Sequence, residues 1–239
     1  SGPVLFSAAR PTLENLNIGT WPDQTRYMDD FTGVTFDATN DWTVLKDSSA
    51  AVALQADALN GVVDLTSQAT TDNDGASIQG NEIWGLPSTA GQKLYFESRF
   101  QMSDADQMDL YIGLSENFAT NPENVLTAAN RIGFRIVDGD ATPVLITESG
   151  GSETSTTLSV TTYDFSDATD VTVSFIATKG TTTDKVKFFI DRTLVGTHST
   201  NVPTVNLTAA AMELSGNATG TKSMSIDYIM VAQDRGVSY

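Results

Sequence analysis

The stretch from Val171 to Val195 constrains the fold more than any other part of the chain. In Val171-Thr172-Val173-Ser174-Phe175-Ile176-Ala177 the apolar side chains fall at every second position. In Lys185-Val186-Lys187-Phe188-Phe189-Ile190 the same alternation puts Val186, Phe188 and Ile190 on one face. A period of two is what a strand with one buried and one wet face requires. Between these runs, Lys179-Gly180-Thr181-Thr182-Thr183-Asp184 is a polar tip suited to a hairpin. Asp191-Arg192 then turns the chain, and Thr193-Leu194-Val195-Gly196 runs back. Three strands joined by short turns form an antiparallel meander, so the chain is all-β.

The remaining sequence extends this pattern from Phe31 onward. Val52 and Leu54, then Leu94, Phe96, Phe100 and Met102, then Leu110, Ile112 and Leu114, and later Ile132, Phe134 and Ile136 repeat the alternation. Tyr95, Glu97, Arg99 and Gln101 fall on the opposite face of their strand, which is expected to meet water or a polar groove. Pro122–Ala129 carries the one modest helical signal, and Gly150–Thr157 reads as a hairpin tip. Leu207–Leu214 reads as a strand with Met212 and Leu214 inward. No linker composition divides the 239 residues, a length that a single large sandwich can fill.

Residues 1–30 differ in character and read as an extended N-terminal arm ahead of a β-sandwich domain at 31–239. Pro3, Pro11, Pro22 and Gly19 interrupt any period, yet Val4, Leu5, Phe6, Leu13, Leu16, Ile18, Trp21 and Tyr27 are large and apolar. Two uses are open to such an arm. It can drape over its own domain, as many termini do, or pack its apolar groups on a neighbouring subunit.

Composition narrows the partners. A formal charge of −17 argues against nonspecific binding to nucleic acid or an anionic membrane surface. No apolar run approaches the roughly 20 residues that span a bilayer. Cysteine is absent, which rules out disulfides and thiolate metal sites.

The meander, its Asp-led turn, the short return strand and the closing run Ser225-Ile226-Asp227-Tyr228-Ile229-Met230-Val231 together carry a resemblance. They resemble the C-terminal half of the concanavalin A-like (laminin-G-like) jelly-roll superfamily, which commonly has Asp-Gly where this chain has Asp191-Arg192. The resemblance spans Phe31 to Arg235 and implies a two-sheet antiparallel jelly-roll sandwich. That superfamily holds lectins, glycan-binding modules, glucanases and virion proteins. The arm, the absence of cysteine and the loops rich in Thr, Ala, Asp and Gly are similar to laminin-G-like proteins of tailed-bacteriophage particles. The expectation that follows is a non-enzymatic structural virion protein that decorates or cements a capsid surface. Its partners would be the major capsid protein and copies of itself, as a homo-oligomer with a trimer as one arrangement. The alternative is a carbohydrate-binding module on a phage fibre or an extracellular protein, with Ca²⁺ as a candidate cofactor.

Glucanases of this superfamily place two catalytic glutamates on one strand as Glu-x-Asp-x-Glu, with acid and nucleophile about 5 Å apart. The chain has no such run. Asp104, Asp106 and Asp109 form the nearest acidic cluster, expected in a loop, and His198 reads as a lone surface imidazole without triad partners. No residue is assigned as catalytic. Asp72-x-Asp74-Gly75 is the best candidate for Ca²⁺, ahead of Asp104-x-Asp106 and Asp138-x-Asp140, although Asp equally favours turns. A sugar-stacking platform would draw on Trp84, Tyr95 and Tyr111, or on Trp21 and Trp42. Trp84 also suits core packing at a strand end.

Overall fold

A computed structural model describes residues 24–235, apart from 34, 48, 57, 59, 69–70, 160–161, 164, 166 and 217–219. Its strands are β1 (Gln24–Asp29), β2 (Thr43–Lys46), β3 (Ala51–Leu54), β4 (Val63–Thr66), β5 (Gly75–Gln79), β6 (Lys93–Met102), β7 (Met108–Ser115) and β8 (Arg131–Val137). They continue as β9 (Asp140–Ser149), β10 (Ser152–Thr157), β11 (Val171–Thr178), β12 (Lys185–Ile190), β13 (Thr193–His198), β14 (Thr208–Ser215) and β15 (Ser223–Asp234). The first sheet runs β13-β12-β11-β6-β15-β4-β3, with β1 also on β15, and the second runs β10-β9-β8-β7-β14-β5-β2. Neighbours within each sheet pair antiparallel.

The alternation read from the sequence becomes the sandwich core. Phe96, Phe100, Phe175 and Phe188 of the first sheet meet Leu110, Ile112, Ile132 and Phe134 of the second, all buried. Phe96 stacks on Phe175 at 5.3 Å within one sheet, and Phe134 meets Phe188 edge-on at 5.5 Å between the sheets. Such pairs add about 0.5–1.5 kcal/mol each beyond the area they bury.

Two local devices hold this register. Asp191 and Arg192 both take positive φ, 45° and 67°, the backbone of a tight hairpin turn whose twist matches its strands. Asp191 compensates for the missing glycine through its carboxylate, which accepts from the Thr172 amide at 3.0 Å. In β15 the pairing with β6 shifts between Ile226 and Tyr228. The extra residue changes the parity, so Ile229 and Val231 continue the inward row begun by Met224 and Ile226, and Tyr228 points outward.

Several expectations need correction. Gln24–Asp29, assigned to the arm, is a strand paired residue for residue with Ile229–Asp234. Tyr27 lies edge-on to Trp42 at 6.2 Å, and the Trp42 indole donates to Asp29 at 2.7 Å, so both rings anchor β1 to its own core. Val4, Leu5, Phe6, Leu13, Leu16, Ile18 and Trp21 lie outside the described residues. The helical signal becomes a 3-10 turn at Pro122–Thr127. The expected tip at Gly150–Thr157 contains the edge strand β10, whose polar residues suit an exposed edge. On β14, Met212 and Leu214 point away from the core, whereas Ala209 and Ala211 point into it.

Candidate functional site

The outer face of the second sheet is built around β8. Ile132, Phe134 and Ile136 enter the core, which sends Arg131, Gly133 and Arg135 outward. Gly113 and Gly133 face each other across β7 and β8, leaving room for the Tyr111 ring to cross them. The Tyr111 hydroxyl donates to the Leu114 carbonyl at 2.7 Å and lies 3.2 Å from that of Ile132. A Cβ on Gly133 would stand 3.0 Å from that hydroxyl and 2.5 Å from the Ile112 carbonyl oxygen.

The segment around Pro122–Thr127 closes over this face. Phe118 and Val125 bury themselves against Tyr111, Ala210, Met212 and Leu214. Gln79 clamps the segment by donating to the Phe118 carbonyl at 2.6 Å and accepting from its amide at 3.1 Å. Arg131, 4% exposed, is the polar centre. Its guanidinium donates to Glu148 at 2.7 Å, to Glu153 at 2.8 Å, to the Val125 carbonyl at 3.0 Å and to the Leu126 carbonyl. A planar fork of five donors suits such convergence better than any other side chain.

The outer face of the first sheet holds a second buried arrangement. The Tyr95 and Tyr228 hydroxyls both donate to Glu97, the latter at 2.8 Å. Burial pushes the Glu97 carboxyl above its usual range, with the two tyrosines partly offsetting it. Burial and the Glu97 charge likewise raise both tyrosine hydroxyls. Ile176, Phe189, Met230 and Ala232 pack around Tyr95. The row expected to meet water is therefore largely covered at Tyr95 and Glu97.

The residues singled out from the sequence scatter. Trp84, Tyr95 and Tyr111 are buried, as is Trp42, so none offers a ring face to a sugar. Trp84 bridges Leu207 at a strand end, as its packing role requires. Among the described residues the large exposed apolar side chains are Met28, Ile83, Val137, Leu194 and Val205, none aromatic.

Asp72 accepts from the Asn73 side chain, and the Asp74 carbonyl accepts from the Ser215 amide, which are turn contacts. Asp104 pairs with Lys222 at 2.6 Å. Asp109 lies within β7, not in a loop, and accepts from the Asp138 amide at 2.8 Å. Burial, then the nearby Asp138 and Asp72 charges, raises its carboxyl. Among the described residues no three His, Asp or Glu side chains converge to hold a metal ion. His198 is buried, not exposed. Its ring nitrogens bond the Thr147 and Thr156 hydroxyls at 3.0 and 2.9 Å, and Phe188 packs on its ring.

Sequence reasoning passed over Arg131 and Glu213. Glu213 interrupts the run Ala209-Ala210-Ala211-Met212-Glu213-Leu214, and an isolated carboxylate among apolar residues was the available signal. It points between the sheets, fully buried, and neither carboxylate oxygen has a hydrogen-bond partner. Burial raises its pKa well above the ordinary carboxylate value, with Ser67 and Lys222 only partly offsetting.

No protein-family model matches this sequence, and no curated protein matches it either. Solved structures do match. An endo-1,3-β-glucanase from Streptomyces sioyaensis superposes with a TM-score of 0.65 at 14% identity, over 90% of this chain and 98% of that one. This is a concanavalin A-like jelly roll. The same jelly roll matches the CBM2 module of the Lactobacillus casei BL23 phage J-1 evolved Dit, with a TM-score of 0.58 at 11% identity over 91% and 99% of the two chains. It matches peanut lectin with a TM-score of 0.58 at 12% identity over 90% and 100%. At such identities the likeness is one of fold, and the jelly roll hosts enzymes and sugar-binding proteins alike. No described helix is long and apolar enough to cross a membrane.

Proposed function

We propose that this chain is a non-enzymatic structural protein of a virus particle, a jelly roll that decorates a bacteriophage head. The observation that carries the reading is the closure of the second sheet's outer face by the chain's own segment. A retaining or inverting glycosidase needs two carboxyl groups free to flank a sugar bond. Here the outward row of β8, two residues apart as a Glu-x-Asp-x-Glu strand would be, reads Arg131, Gly133, Arg135. The nearby Glu148 and Glu153 are both tied to Arg131. The fold shared with a phage Dit module supports the setting. The partners are the major capsid protein and further copies of this chain. The test is quantitative mass spectrometry of purified particles from the source. Hundreds of copies per particle support head decoration, and absence from particles overturns it.

A second reading, carbohydrate binding, draws on one groove. Phe36, half-buried, lines a surface depression with Thr43, Val44, Lys46 and Val52, an aromatic flanked by polar groups. A glycan screen with the protein and its Phe36→Ala variant separates the two readings. A hit lost in the variant favours sugar binding.

A further inference from the structure

The outer face of the first sheet is too apolar and too well buried for a face open to water. Tyr95 on β6, Ile176 on β11, Phe189 on β12, and Met230 and Ala232 on β15 all point away from the other sheet, yet are 0%, 7%, 1%, 2% and 1% exposed. Among the described residues every strand belongs to one of the two sheets, and none lies over this face. Side chains of this size on an uncovered sheet stay largely accessible, so a further segment must cover them.

The cover also has a boundary. Met28 on β1 stands beside Met230 in the register and shares its face, but is 47% exposed. The covered part therefore runs from β15 across β6 and β11 to β12, and leaves β1 open.

The occupant follows from where the chain comes in. β1 starts at Gln24, directly opposite Asp234 and two positions along β15 from Ala232. The 23 residues before it carry Val4, Leu5, Phe6, Leu13, Leu16, Ile18 and Trp21. Extended, they reach roughly 75 Å, whereas three strand spacings from β15 to β12 amount to about 15 Å. Length, apolar content and point of entry all match.

We propose that residues 1–23 of this chain pack in cis across the outer face of the first sheet, over Tyr95, Ile176, Phe189 and Met230. The segment is then an integral third layer of the monomer and not a free arm. The inference stands apart from the virion reading, because it concerns the free chain in solution.

Hydroxyl-radical oxidation read by mass spectrometry tests it through Met230, with Met212 on the second sheet as a control for the fold. Three proteins are compared: the full chain, a chain beginning at Gln24, and the full chain carrying Leu13→Ser, Leu16→Ser, Ile18→Ser and Trp21→Ser. In the full chain Met230 is expected to be protected at concentrations where sedimentation shows a monomer. In both variants its oxidation rises several-fold while Met212 stays protected. Equal Met230 reactivity in all three proteins overturns the proposal. So does protection that fades on dilution with dissociation of a dimer, since the cover is then a second copy. Should a variant lose Met212 protection, amide hydrogen exchange on the unaltered chain decides: slowed exchange within residues 1–23 supports the proposal, and free exchange throughout them refutes it.

Discussion

Glu213 gives the sharpest quantitative expectation. It sits on β14 with its side chain between the sheets, has no exposed surface and no hydrogen bond to either oxygen. Burial therefore raises its folded-state pKa well above the ordinary value. In the window between the unfolded and the folded pKa, the folded protein holds a proton that the unfolded chain has released. Stability contributed by the neutral acid is thus complete below the unfolded pKa and lost as pH rises through the folded one. The slope inside the window is about 1.4 kcal/mol per pH unit. Glu213→Gln keeps the shape and removes the titration, at a constant cost for its unpartnered amide. Urea unfolding of both proteins at pH 5, 6 and 7 yields the wild-type-minus-variant stability. That difference should fall with pH, approaching this slope wherever the window is open. A difference that stays flat from pH 5 to pH 7 means that Glu213 ionises normally, and the argument from burial fails.

Arg131→Ala should cost about 3–5 kcal/mol, because it strands the buried Glu148 and leaves two carbonyls without their donor. Hydrogen exchange around Pro122–Thr127 should accelerate with it. Gly133→Ala should lose about 1–3 kcal/mol in chemical denaturation by driving a methyl into the Tyr111 hydroxyl and the Ile112 carbonyl. Burial lowers the His198 pKa, so its neutral form contributes stability that is lost as pH falls from about 6.5 towards its folded value. Thermal melts of His198→Gln should show a shallower acid-side decline than wild type, and parallel declines would refute this.

The fold was legible because alternation is a local signal. Val171–Ala177 and Lys185–Ile190 announced β11, β12 and their hairpin, and Lys93–Met102 matched β6 at both ends. What the period could not say is which face of a strand ends up covered. Met212 and Leu214 follow the same alternation as a core row, yet face outward beneath Phe118 and Val125. Tyr95 and Glu97 read as a wet row for the same reason. The cover is a segment distant in sequence, and only tertiary structure brings it near. Parity also failed at Asp227, since a bulge leaves no mark that composition reveals. The site was less legible still. Arg131 becomes a hub only when β9, β10 and the Pro122–Thr127 segment converge on it. His198 looked exposed because its burial depends on Thr147 and Thr156 from the other sheet.

The pairing of Gln24 with Asp234 has a practical side. The described body begins and finishes at one corner, with its two boundary residues side by side in a sheet. Whatever precedes or follows departs from that corner, so the body can be spliced into a surface loop of another protein as a cassette without stretching either strand. The same adjacency favours circular permutation. A few small residues joining 235 to 24 would close the chain, and new ends could be opened at the exposed hairpin between β9 and β10. A chain re-cut in this way would keep every strand pairing intact and display its new termini at a site of the experimenter's choosing.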